Sequence, residues 1–172
     1  MNDSVEFSRL VDLTRLAPGG SNYEIAATAE ERAALARRFD LLGLDLLTAK
    51  ATLTPVAGGF YRLSATLEAA LTQACVVTLD PVAARIEERF SLLYGALDAQ
   101  KEVLLDGESE TVEPLDGMLV DIGEAVAQQL SLALDPFPRA AGAPAQAEEA
   151  APQPRLDSPF AVLSGLRPAH KP

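Results

Sequence analysis

A chain of 172 residues with 48% hydrophobic content is long enough to bury one core and predicts a single folded domain. Its 14 Lys and Arg against 25 Asp and Glu leave a net charge of -11, which repels a phosphate backbone at long range, so direct nucleic-acid binding needs a local basic patch. The single cysteine excludes an intramolecular disulfide and a metal site of paired thiolates, and the single histidine, His170 near the carboxyl end, excludes a Ser-His-Asp or Cys-His arrangement unless that end folds back.

The amino terminus MNDSVEFSRL begins acidic and lacks an apolar secretory core, and no run approaches the length of a membrane span. These features predict a soluble, cytoplasmic chain in a reducing setting, with no membrane association. Residues 6–13 mix apolar and polar positions, the turn signal Pro18-Gly19-Gly20 follows, and 22–25 are extended, so a peripheral hairpin is expected here. Thr28-Ala29-Glu30-Glu31 is a capping box that opens a helix rich in Ala, Leu, Glu and Arg. Leu35 and Phe39 mark its buried side, Arg32, Arg37 and Arg38 its solvated side, and Gly43 lets the chain turn away.

From Leu47 the period changes to two. Leu47, Ala49, Ala51 and Leu53 alternate with Thr48, Lys50, Thr52 and Thr54; Gly58-Gly59 makes a turn; and Tyr61, Leu63, Ala65, Leu67, Ala69 and Leu71 alternate with Arg62, Ser64, Thr66 and Glu68. The two runs match as a long antiparallel hairpin. The inward parity continues through Cys75, Val77 and Leu79, with a bend expected near 71–74, and Asp80-Pro81 supplies the next tight turn. Ile86, Phe90, Leu92 and Tyr94 then continue a meander in which Glu88 breaks the apolar set.

Residues 95–114 are acidic and weakly patterned, with an extended piece at 102–105, and read as a mobile connection. In 116–138, Asp121 and Glu124 form an Asp version of the capping box, Ile122, Val126, Leu130, Ala133 and Leu134 make one apolar stripe, and Pro136 and Pro138 stop the helix. Residues 139–156 are almost wholly Ala, Pro, Gln, Gly and Glu, a composition too poor in large apolar groups to offset the entropy of ordering. In 157–172 the chain becomes specific again: Ser158 can cap, Pro159 suits a first helical position, and Phe160, Leu163 and Leu166 fall on one side, with Val162 between them. This apolar segment is the candidate partner-binding element, docking on its own domain or on another protein.

The expected architecture is α+β: an antiparallel β-meander that curls into a partial barrel, covered by two helices, over a single domain 1–138, with a disordered linker 139–156 and a short motif segment 157–172. Chemistry is sparse. Gly19-Gly20 and Gly58-Gly59 fit turns and lack the order of a phosphate-binding loop, and no spaced carboxylates form a calcium loop, so neither enzymatic activity nor a cofactor is expected. Cys75, with inward strand parity, reads as a small buried hydrophobe rather than a reactive thiolate. Lys50 and Arg62 share the polar face of the long hairpin, and Arg85 and Arg89 one side of the later strand. Together these four are the candidate RNA-contacting set, against the plainer reading of a solvated outer sheet face.

Three stretches together resemble the YceD-type large ribosomal RNA subunit accumulation proteins of bacteria and plastids. Gln73-Ala74-Cys75-Val76-Val77-Thr78-Leu79-Asp80-Pro81-Val82 is similar to that family's central hairpin. Asp121-Ile122-Gly123-Glu124, leading to Pro136 and Pro138, resembles its Asp-Leu-Gly-Glu helix, and Ser158-Pro159-Phe160-Ala161-Val162-Leu163 resembles its terminal signature. Many relatives carry Cys-x-x-Cys where this chain has Cys75 and Thr78, so any metal role elsewhere does not transfer, and Asp80-Pro81 is expected to sustain the turn. The resemblance implies a factor for accumulation of large-subunit ribosomal RNA. The acidic charge adds that its partner is a basic ribosomal protein or a large-subunit precursor particle. A general acidic adaptor acting through its terminal motif, and a direct RNA binder, stay open as alternatives.

Overall fold

A computed structural model describes residues 5–95, 103–105, 108–110, 112–115 and 117–144. The chain divides into two units, Met1–Ala141 and Gly142–Pro172, and the architecture below is that of the first. The elements are β1 (Leu10–Asp12), a 3-10 turn (Leu13–Arg15), β2 (Ser21–Ala26), α1 (Ala29–Arg38), β3 (Gly43–Val56), β4 (Phe60–Ala74), β5 (Pro81–Gly95), β6 (Val103–Leu105), β7 (Glu108–Glu110), β8 (Val112–Pro114), β9 (Leu119–Asp121) and α2 (Ile122–Ala133).

The long hairpin is the centre, as the alternation predicts. β3 and β4 pair antiparallel with Leu53 opposite Leu63 and Ala49 opposite Leu67, and Gly58 and Gly59, both at positive φ, make the reversal. β5 adds the next meander strand, and β2 lies antiparallel on the other side of β3. β8 runs parallel beside β5, completing the order β2-β3-β4-β5-β8. Period-two alternation sends Leu47, Ala49, Ala51, Leu53, Leu63, Ala65, Leu67, Ala69 and Leu71 to one face, where all are buried. α1 packs on β3 and α2 on β4 and β5, and Leu35, Ile122, Val126 and Leu130 join the strand residues in one core. The fold is thus an α+β meander under two helices, with the sheet left open at β2 and β8 rather than curled into a barrel.

Several local expectations are corrected. The peripheral hairpin does not form: β1 pairs with β9, and β2 with β3, because Tyr23 and Ile25 continue the inward parity of the sheet. β4 pairs with β5 without interruption from Tyr61 to Ala74, so the bend expected there is absent. The irregularity lies in β3, between Leu44 and Leu46. The chain leaves α1 through Asp40, at φ 54°, and Gly43 instead opens β3. Residues 95–114 hold more order than a plain connection, since β6 and β7 pair as a hairpin and β8 joins the main sheet.

Both helix starts are built from the sequence signals, with one departure. Thr28 Oγ1 accepts from Glu31 N at 3.2 Å while the Glu31 carboxylate accepts from Thr28 N at 2.8 Å, a complete capping box. Asp121 Oδ1 accepts from Glu124 N at 3.1 Å, but Glu124 does not return the bond. Its carboxylate takes Arg38 Nη1 and Nη2 at 2.8 and 2.7 Å, so Arg38, expected in solvent, clamps α1 to the start of α2. The amino-terminal segment passes between them. Ile122 N donates to Arg9 O at 3.0 Å, and a Cβ on Gly123 would stand 2.6 Å from Phe7 O, so only glycine admits this close approach.

Candidate functional site

The uncovered face of the sheet carries the four candidate cations, and register decides which of them meet. Glu24, Lys50, Thr66 and Arg89 form one cross-strand row, and Asn22, Thr52, Ser64 and Ser91 form the next. Lys50 and Arg89 are therefore brought together. Arg62 lies four residues along β4 from Thr66, opposite Thr54, while Arg85 lies in the opposite direction beyond Glu87. A shallow groove of about 560 Å³ runs over Asn22, Glu24, Lys50, Thr52, Ser64 and Arg89. Lys50, Arg85 and Arg89 are exposed, yet Glu24, Glu68 and Glu87 stand among them on the same face, so the patch is of mixed charge.

Cys75, Thr78, Asp80 and Pro81 form a knuckle at the β4–β5 reversal. Cys75 has left the strand: its N–H donates to Asp80 O at 2.8 Å, Leu79 N donates back to Cys75 O at 2.9 Å, and Leu79 takes the left-handed conformation at φ 63°. The turn expected of Asp80-Pro81 is thus made by 76–79, and Pro81 opens β5 opposite Ala74. Cys75 is fully buried, as expected, but its sulfur is ringed by donors rather than embedded in the core. Backbone N–H groups of Ala140, Thr78 and Val77 and the Thr78 hydroxyl point at it and hold its thiol below the usual range, at about 6. Val77 N and Thr78 N each lie 3.4 Å from Sγ, so Thr78 supports the Cys75 sulfur through both its backbone N–H and its hydroxyl.

The knuckle is tied to the chain that follows α2. Val76 N donates to Pro138 O and Gln73 Nε2 to Asp135 O, both at 2.9 Å, so Pro136 and Pro138 stop the helix and fix its exit against β4. Val76, Val77, Leu79 and Phe137 remain exposed around this junction. Sequence reasoning missed this apolar rim because strand parity assigned Val77 and Leu79 inward; β4 ends at Ala74, and the turn at 76–79 breaks that parity. The terminal candidates Pro159, Phe160, Val162, Leu163 and Leu166 lie outside the described residues.

At the other end of α2, Asp121, Gly123 and Glu124 serve the fold. Asp121 also accepts from Arg9 N at 2.7 Å and Ser8 Oγ at 2.5 Å, and Arg38 holds the Glu124 carboxyl below its ordinary value. Beside them is a cleft of about 290 Å³ whose polar lining is Tyr94, Glu113, Asp121, Glu124, Gln128 and Gln129. Burial, with help from Glu113 and Asp121, raises the Tyr94 phenol to about 12, so it stays protonated. Acid is unevenly spread along the chain: residues 96–116 contain seven carboxylates and one lysine. Among the described residues, no group of three or more His, Cys, Asp and Glu side chains is arranged to hold a metal ion.

An acid-rich α+β meander with a hydrogen-bonded cysteine knuckle defines the class of protein. The family model described as Large ribosomal RNA subunit accumulation protein YceD matches residues 63–167, more than half of the chain, and the chain belongs to that family. The match spans all three stretches that carry the resemblance: the knuckle, α2 and residues 158–163. No curated protein and no solved structure matches the chain. Its family places it in accumulation of large-subunit ribosomal RNA, and none of its described helices is long and apolar enough to cross a membrane.

Proposed function

We propose that this protein is a non-catalytic, cytoplasmic ribosome-biogenesis factor that supports large-subunit ribosomal RNA by holding a basic ribosomal protein or a large-subunit precursor particle. The observation that carries this reading, beside the family, is where the acid goes. Among the described residues only Glu6, Glu31, Glu87 and Glu124 reach an arginine within 4.0 Å, and three of these four close the fold around Arg9 and Arg38. The remaining carboxylates, with the acid-rich 96–116, leave a negative field that attracts a cationic protein before RNA takes it over. The domain 1–138, the linker 139–156 and the motif 157–172 divide the work in this reading, with Pro159, Phe160, Val162, Leu163 and Leu166 recruiting the partner.

The test is the ratio of mature large- to small-subunit ribosomal RNA in cells lacking the gene, beside a complemented control, followed by capture of precursor particles on the tagged full chain. A selective fall in the large-subunit species with ribosomal protein in the captured fraction is the expected result. An unchanged ratio overturns the reading. A second reading, direct RNA contact, is favoured by the Lys50 and Arg89 row with its neighbouring hydroxyls. It requires binding that falls steeply with salt and weakens in Lys50→Gln and Arg89→Gln.

A further inference from the structure

The main sheet ends on one side at β8, three residues closing on Pro114, and on the other at β2, six residues with nothing paired outside them among the described residues. Ala27 N donates to Leu47 O at 3.0 Å, which fixes the phase of the ladder. Ser21, Tyr23 and Ile25 turn their backbone groups toward β3, and Asn22, Glu24 and Ala26 turn theirs away. Arg9 Nη2 reaches Ala26 O at 3.1 Å from that outer side. Among the described residues, both backbone groups of Asn22 and of Glu24, and the N–H of Ala26, have no partner. Soluble proteins commonly blunt such an edge with lysine, proline or a bulge. The sequence Ser-Asn-Tyr-Glu-Ile-Ala has none of these, and its one charge is negative.

We propose that β2 accepts an added strand from a cationic partner, an extended segment in which apolar and basic residues alternate. This rests on the reading above that the partner is a basic protein, and it names the mode of capture. The alternation follows from the two sides of the edge. On the inner side Tyr23 and Ile25 are half-buried against the core and offer apolar contact. On the outer side a groove of about 370 Å³ borders the edge, with Glu24 and Glu68 as its carboxylates and Lys50 as its one cation. An added strand sends alternate side chains to those two sides, so one set meets hydrocarbon and the other meets acid. A second copy fits poorly. Each chain carries a net charge of -11, and antiparallel pairing centred on the outward backbone of Glu24 sets that carboxylate against itself.

The experiment uses the full chain and a decapeptide of alternating valine and lysine, with amide hydrogen exchange read residue by residue. At saturation the amides of Asn22 and Glu24 slow by about tenfold or more, while those of Tyr23 and Ile25, already in the ladder, change little. Glu24→Pro removes an outward donor without touching the β2–β3 ladder, so it weakens the peptide by about tenfold with the urea midpoint retained. Glu24→Gln, which keeps the donor, weakens it less. Asn22→Pro is the second variant should Glu24→Pro unfold. Equal binding of a valine–glutamate peptide overturns the charge argument, and equal binding to the Glu24→Pro chain overturns the edge. Preference for a single-stranded oligonucleotide that protects the same amides, or a dimer dissolved by Glu24→Pro, assigns the edge to another occupant and overturns the proposal. In cells, a deletion that lowers the large-subunit ratio and is fully complemented by Glu24→Pro leaves the assembly role standing and removes this inference alone.

Discussion

α1 and α2 begin on the same pattern, a capping side chain followed by glutamate three residues on, and they use it differently. At α1 the pattern closes on itself: Thr28 and Glu31 satisfy each other's backbone, and Glu31 has a carboxylate oxygen to spare for Arg9 at 2.7 Å. At α2 the cap is shared across the chain. Asp121 takes Glu124 N, Arg9 N and Ser8 Oγ, while Glu124 turns out to Arg38. One helix can start from its own residues, whereas the other starts against an amino-terminal segment more than a hundred residues away in sequence. The same local signal therefore carries a local boundary in one case and a tertiary junction in the other.

Variants at the two starts break this contrast in graded steps. Gly123→Ala has the largest expected effect. Alanine improves intrinsic helix propensity by about 1 kcal/mol, yet its Cβ meets Phe7 O at 2.6 Å and Arg9 N at 2.9 Å, both backbone, so a net loss of about 3 kcal/mol is expected in urea unfolding. A gain in stability would show that residues 7–9 do not hold this position. Asp121→Ala removes the cap of Glu124 and leaves Arg9 N without its acceptor, and about 2 kcal/mol is expected. Thr28→Ala loses one cap bond at an exposed site, about 1 kcal/mol. Should the last two variants lose equally, the distinction between a local and a shared cap disappears.

What was legible in the sequence follows the same division. Period-two alternation over 47–71 placed nine core side chains correctly, because strand parity is a local property that the hairpin turn only reflects back. The two caps were legible for the same reason. The partner of β1, the parallel strand β8 and the clamp of Arg38 on Glu124 were not, since each joins residues brought together only by the closed core. Extending strand parity past Ala74 placed Cys75 correctly but misassigned Val77 and Leu79, because β4 ends at Ala74 and the turn comes at 76–79, earlier than the Asp80-Pro81 signal suggests. Of the candidate sites, the sequence could place the cations on one face. Their interleaving with Glu24, Glu68 and Glu87, and the open edge of β2, came only with register.

The smallest expected effects separate the two glutamates themselves. The Arg9 guanidinium, with the Thr28 N–H, holds the Glu31 carboxyl down at about 2, and Arg38 holds Glu124 below its usual value. Both carboxylates ionise more easily folded than unfolded, so each adds stability above the unfolded pKa, near 4.3. For Glu31 that stability is lost progressively as pH falls toward 2. The pairs are partly open to solvent, and screening limits each to about 1 kcal/mol or less. Glu31→Gln should therefore lie slightly below wild type at pH 6, with the gap in urea midpoint closing by pH 2 to 3. Glu124→Gln should behave alike in direction. Truncation then tells the two apart: Glu31→Ala also loses the bond to Thr28 N that glutamine can keep, so it falls below Glu31→Gln at every pH. Glu124 makes no such bond to the α2 cap, so its Ala and Gln variants should nearly coincide at acid pH. Coincidence at position 31 as well would mean that the Thr28 box contributes nothing beyond its ion pair.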